Sequence, residues 1–342
     1  MPRRRPTIEF EGQMQIPFEE FSSETPAAGA NAAQAAGVSP RVVPGGMSPR
    51  VVAGGMLSDN PALRVFNYIS FGSGSSGNSC YVGTSQGGFI VDAGVKADIV
   101  EEMVKANGLR WERIKGILLT HDHSDHVKYA YTLLRAHRHL RLFCTNRVLN
   151  GLLRRHGISK RIKDYHVPIF KEIPFQLAGA EITAFDVPHD GTDNMGFSIN
   201  YDHRNFVIAT DLGAVTERAR HYMSRATYLV IEANYDLRML INGRYPEYLK
   251  ARIRTDHGHL DNTATASFLS EVWNEGMKYI FLCHLSQDNN TPAIARSTVR
   301  EALESRGIRV GGGEETLSDR NADVQLVTLP RFDATRWYVL RP

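Results

Sequence analysis

The sequence predicts an α/β fold. Short apolar runs recur along it, each stopping on a carboxylate or an imidazole, and stretches with apolar residues at helical spacing lie between them. Such polar strand ends are where α/β folds collect their active groups. Gly88-Phe89-Ile90-Val91-Asp92-Ala93-Gly94 reads as a strand that ends on Asp92 and a glycine turn. Ile114 to Thr120 reads as a second strand, followed at once by His121-Asp122-His123-Ser124-Asp125-His126. Tyr129 to Arg141 and Arg147 to His156 carry apolar stripes of helical period. Ile182 to Asp190 alternates and delivers His189 at its end; Phe206 to Gly213 does the same for Asp211, Tyr228 to Tyr235 for Glu232, and Met277 to His284 for His284. Asp256 to Asn262 opens a helix-like stretch, and Ala293 to Glu304 is helical.

His121, His123, Asp125 and His126 place four potential metal ligands within six residues. Neutral imidazole and carboxylate are the donors that zinc and similar divalent ions accept at catalytic centres. Taken singly, His189 or His284 is more often a hydrogen-bonded histidine than a ligand, and Asp92 is as readily a strand-end cap. Grouped around one His-rich motif, these strand ends read as a metal centre.

The flanks read differently. Residues 23 to 60 are rich in Ala, Gly, Pro and Ser and contain a nine-residue repeat, Ser39 to Met47 followed by Ser48 to Met56. Two copies are too few for a solenoid, and paired glycines with prolines oppose a helix, so residues 1–65 are expected to form a flexible extension. Met1 to Pro6 is basic, but no apolar run follows it as in a signal peptide, and no segment of about 18 apolar residues suggests a membrane span. Cys80, Cys144 and Cys283 are isolated, which suggests a reduced, cytoplasmic protein. The formal charge is only +3, yet Arg110 to Lys163 carries 13 basic residues against Glu112, Asp122 and Asp125. Such an island beside the motif favours a polyanionic partner, nucleic acid, over a merely solvated pair of helices.

In order, His121-x-His123-x-Asp125-His126, His189, Asp211 and His284 resemble the metallo-β-lactamase fold over about residues 66–330. The resemblance implies an αβ/βα sandwich, two mixed sheets flanked by helices, with residues 331–342 as a tail. It implies that His121, His123 and His189 hold one divalent ion, that Asp125, His126 and His284 hold a second, and that Asp211 bridges them. Asp92 would orient a ligating histidine from behind. The ions would be zinc or manganese.

Glu232 and the Asp256 to Asn262 segment resemble the phosphodiesterase branch of that fold. A metal-bound hydroxide would be the nucleophile, His259 the general acid with Glu232 orienting it, and His257 the nearest competitor. Phe71 to Ser79, Gly258 to Asn262 and Cys283 to Asn290 together resemble the YycJ (WalJ) group of bacterial exonucleases, implying 5′-to-3′ degradation of DNA. Ser75 and Asn78 would then hold a phosphate, and Ser286, Asn289 and Asn290 would either cap the following helix or present donors to a phosphate. Transfer-RNA 3′-processing, hydrolysis of a small cyclic phosphate, and nucleic-acid binding on a relic hydrolase fold are the alternatives; the intact ligand set opposes the last.

Overall fold

The structure, a computed structural model, describes residues 64–312, 319 and 321–340. The repeat, and the expected extension up to residue 63, lie outside the described residues. Two mixed sheets form. The first runs in chain order through β1 (Phe66–Gly72), β2 (Ser79–Thr84), β3 (Gly87–Val91), β4 (Ile114–Leu118), β5 (Arg141–Cys144) and β6 (His166–Pro168). The second holds β7 (Phe175–Leu177), β8 (Ala180–Asp186), β9 (Met195–Tyr201), β10 (Arg204–Ala209), β11 (Tyr228–Glu232), β12 (Tyr279–Cys283), β13 (Val310–Gly311) and β14 (Val324–Thr328), with β14 between β12 and β13. The chain then returns, and β15 (Tyr338–Leu340) pairs antiparallel with β1 at the edge of the first sheet.

Alternation explains why the middles of the central strands are apolar on both faces. Phe206 and Ile208, Tyr228 and Val230, and Phe281 and Cys283 face the first sheet, where Tyr68 packs on Phe206 and Phe281 at ring separations of 5.2 and 4.9 Å. Their neighbours Val207, Ala209, Leu229, Ile231, Ile280 and Leu282 face outward into a second core. A strand covered on both faces has no position left for a polar residue until it ends. Helices α1 (Ala97–Ala106), α2 (Ser124–Val127), α3 (Ala130–Ala136) and α4 (Asn146–Arg155) pack in the first core. Beyond them come α5 (Glu217–Met223), α6 (Leu237–Asn242), α7 (Glu247–Ile253), α8 (Asn262–Val272) and α9 (Pro292–Glu304), of which α5, α8 and α9 cover the outer core of the second sheet. The layers are helices, sheet, sheet, helices, as expected for the αβ/βα sandwich.

Strand sense positions the site. β3, β4 and β5 are parallel, as are β10, β11 and β12, and β8 regains the sense of β10 through two antiparallel steps across β9. Within each sheet, the strands that precede a candidate ligand therefore end at the same edge.

Two expectations change. The helix expected over Tyr129 to Arg141 stops at Ala136, because His139 bonds the carbonyls of Trp111 and Ile114 at 2.9 and 3.2 Å and Arg141 begins β5. Residues 331–340 are no separate tail: Thr335 Oγ1 accepts a hydrogen bond from Ser70 N at 3.0 Å, and Tyr338 packs on Phe281 at 5.2 Å. Among the described residues no helix is long and apolar enough to cross a membrane.

Candidate metal centre

Three of the strand ends leave their sheets through a left-handed residue: Asp92 after β3 (φ 59°), Asp211 after β10 (φ 50°) and His284 at the end of β12 (φ 54°). Residues with a Cβ adopt this region at a cost, and such strain gathers at functional sites. In the first sheet, β4 is followed by His121 and His123 in the β4–α2 turn and by Asp125 and His126 in α2, held by tight backbone contact. Asn78 N donates to Asp125 O and Ala93 N to His126 O, both at 2.7 Å. A Cβ on Gly94 would stand 1.5 Å from Asp125 O, so only glycine permits this approach.

The candidate ligands converge on Asp211. Its Oδ2 lies 3.5 Å from His121 Nε2, 3.2 Å from His126 Nε2 and 3.7 Å from His189 Nε2, while its Oδ1 lies 3.0 Å from His284 Nδ1. Ligand atoms of His121, His123, His189 and Asp211 lie within 4.8 Å of one another, as do those of Asp125, His126, Asp211 and His284. Asp211 belongs to both groups. His121 Nε2 and His284 Nε2 are buried without a hydrogen-bond partner among the described residues, an arrangement that native interiors avoid and that cations relieve. The donor set therefore fits divalent ions.

Supporting contacts orient the candidate ligands. Asp92 Oδ2 lies 2.7 Å from His126 Nδ1 and accepts from Thr120 Oγ1 at 2.8 Å, which turns His126 Nε2 toward Asp211. His189 Nδ1 meets Gly258 O at 3.0 Å, leaving its Nε2 for the centre. Burial, and then the neighbouring His126 and His123, hold His121 well below the usual imidazole range. Burial likewise lowers His189 to about 4. His126 and His284 go the other way: burial lowers them, but the surrounding carboxylates, Asp211 foremost, outweigh it. Burial would raise Asp211, yet His284 and His126 hold it well below the carboxylate range.

Glu232 is fully buried and stands between two histidines, its Oε1 2.7 Å from His259 Nδ1 and 2.8 Å from His284 Nδ1. Its Oε2 accepts from Leu212 N and Leu260 N. The His259 ring lies 5.0 Å from that of His189 and 5.2 Å from that of His284. Burial lowers the His259 pKa, but the Glu232 charge and hydrogen bond outweigh it, so the net shift is upward. His257 is exposed.

The family profile described as "Beta-lactamase superfamily domain" matches residues 89–285. The chain belongs to this superfamily. It is 34% identical over 245 residues to "Exodeoxyribonuclease YycJ" of Bacillus anthracis, covering 70% of this chain and 89% of that protein. To "Exodeoxyribonuclease WalJ" of Streptococcus pneumoniae it is 31% identical over 247 residues, covering 72% and 91%. The solved metallo-β-lactamase fold protein YhfI of Bacillus subtilis matches 79% of this chain and 99% of its own with a TM-score of 0.57 at 12% identity, which speaks to fold alone.

Around this superfamily centre the remaining candidates divide. Ser75 is exposed on the loop after β1, but Asn78 is enclosed: its amide meets Gly74 O, Asp125 Oδ2 and His126 Nε2, so it braces two of the candidate ligands. Asn290 is also committed, donating to Ala233 O and Asn234 O and pairing with Asn262. Ser286 Oγ accepts from Asn289 N, and the cap of α9 is Thr291. Asn289, 1% exposed, has neither amide atom paired among the described residues.

The basic island is not one surface. Arg113, Lys115, Arg138 and Arg141 gather where β4 and β5 begin, opposite the ligand end. Arg147 and Arg155, by contrast, touch Thr192 O and Asp122 beside the centre. Sequence reasoning missed Asp190, whose Oδ1 lies 3.2 Å from His123 Nε2 and which pairs with Arg252. Burial raises its carboxyl, but the hydrogen bond from His123, the nearby His189 and Arg252 together hold it below the carboxylate range. Its position directly after His189 was the available signal. It missed Thr120 too, whose hydroxyl touches Asp92, His121 and His126.

Proposed function

We propose that the chain is a two-metal phosphodiesterase that degrades DNA 5′-to-3′, with zinc or manganese as its ions and His259 as general acid. The Glu232–His259 pair carries this reading: it sets a proton donor against both groups of candidate ligands. The two exodeoxyribonuclease relatives support DNA as substrate, and the 5′-to-3′ direction follows from the resemblance to their group.

His121, His123 and His189 would hold one ion, and Asp125, His126 and His284 the other, with Asp211 shared. Bound divalent ions supply an electrophile for the phosphoryl oxygens and activate water near neutral pH. Glu232 occupies Nδ1 of His259, so Nε2 is the atom left to deliver a proton to the departing alkoxide. The Glu232 charge and hydrogen bond shift His259 upward, which favours the protonated form that a general acid needs. Arg147 and Arg155, with the exposed Arg154, Lys160 and Arg161, offer phosphate contacts with little sequence preference. Three free, buried cysteines support a reducing compartment, the cytoplasm.

End-labelled DNA and RNA, incubated with defined metals, test the reading. Mononucleotides released first from a 5′ label on DNA are expected, and processing of transfer-RNA precursors without action on DNA would overturn it.

A further inference from the structure

Arg331 lies beyond the region where the sequence suggested function, yet it joins two loops of the centre. Its Nη2 donates to Ser75 Oγ at 3.2 Å and its Nη1 to Leu285 O at 3.0 Å. One loop carries Asn78, which touches Asp125 and His126; the other follows directly from His284. The guanidinium lies close over Gly74, where a Cβ would stand 3.0 Å from Arg331 Cγ and Nη1. Its Nε is buried and finds no hydrogen-bond acceptor among the described residues.

The next residue adds a second, independent feature. Phe332 is 59% exposed, and its ring centroid lies 5.4 Å from the Arg331 guanidinium. A bolt between two loops has no use for an exposed ring beside it. Single-stranded nucleic acid does: bases stack on aromatic side chains regardless of sequence, and arginine takes the adjoining phosphate.

We propose that Arg331, Ser75 and Phe332 form a nucleotide subsite at the mouth of the centre, with Phe332 stacking a base and Arg331 and the Ser75 hydroxyl holding the phosphate next to it. This inference rests on the nuclease reading and names where the strand is gripped. It also gives residues 331–340 a reason to fold back along the first sheet, since β15 fixes the segment that delivers the pair.

The test uses the full chain and steady-state kinetics on single-stranded DNA. Phe332→Ala is expected to raise KM roughly 5- to 100-fold, the range of one lost base stack, with kcat little changed. On an oligonucleotide with abasic sites through its terminal nucleotides, the intact chain should already show the raised KM and Phe332→Ala should add nothing. Phe170, equally exposed but outside the proposed subsite, is the control, and Phe170→Ala should leave KM where it was. Arg331→Gln should flatten the dependence of log affinity on log salt by about 0.7, one phosphate contact on a single strand. A DNA KM untouched by Phe332→Ala, or raised as much by Phe170→Ala, overturns the subsite while the nuclease reading stands. Failure of the unaltered chain to degrade DNA overturns both.

Discussion

His121 and His126 lie five positions apart in the sequence with their rings 4.1 Å apart, yet their surroundings differ. His126 has Asp92 at one nitrogen and Asp211 and Asp125 at the other. His121 has the Thr120 hydroxyl at one nitrogen, Asp211 at the other, and the imidazoles of His123 and His189 as well as His126 against its ring. The contrast extends to the groups they belong to. Around His126 and His284 the orienting carboxylates, Asp92 and Glu232, are buried. Around His121, His123 and His189 orientation comes from a hydroxyl, a backbone carbonyl and the half-buried Asp190. Identical side chains are thus supported on one side of the centre by buried carboxylates, and on the other by two neutral dipoles and one half-buried carboxylate.

The largest effect should come from erasing what the two groups share. Asp211→Ala is expected to remove activity down to background and to lower metal content in both groups, as read by elemental analysis of the purified protein. Full metal content with full activity would mean that the groups do not depend on a common carboxylate.

Next is His259, the proposed proton donor. His259→Ala should preserve metal content and slow cleavage by about 10²–10⁴-fold, and a diester with a much better leaving group should recover most of that loss. Glu232 raises the His259 pKa, so Glu232→Gln lowers it and should move the alkaline limb of the rate profile to lower pH. A limb that stays in place tells against His259 as the acid.

The smallest effects separate the two groups directly. Asp92→Asn should weaken metal binding about 10–100-fold, the usual cost of losing a carboxylate behind a ligating histidine, and should do so at one ion of the two. Asp190→Asn should weaken the other ion by less, because Asp190 is half-buried and already shares its charge with Arg252. Equal losses at both ions in titrations of the two variants would erase the distinction between the two kinds of support.

The apolar strand runs, the His-rich turn and the residue on which each run stops are legible in the chain's own order, because strand burial and its interruption are written in neighbouring positions. That is why the α/β fold and the cluster around Asp211 could be anticipated, residue by residue. How these groups meet follows from long-range packing. It put Asp92, Asp211 and His284 in left-handed exits, enclosed Asn78 and Asn290 in hydrogen bonds, split the basic island between two ends of a sheet, and brought Arg331 beside Ser75. Each depends on partners far apart in the chain, 48 positions for Asn78 and His126 and 256 for Arg331 and Ser75. Local periodicity says which face a side chain occupies; a hydrogen bond across such separations exists only once packing has fixed both ends.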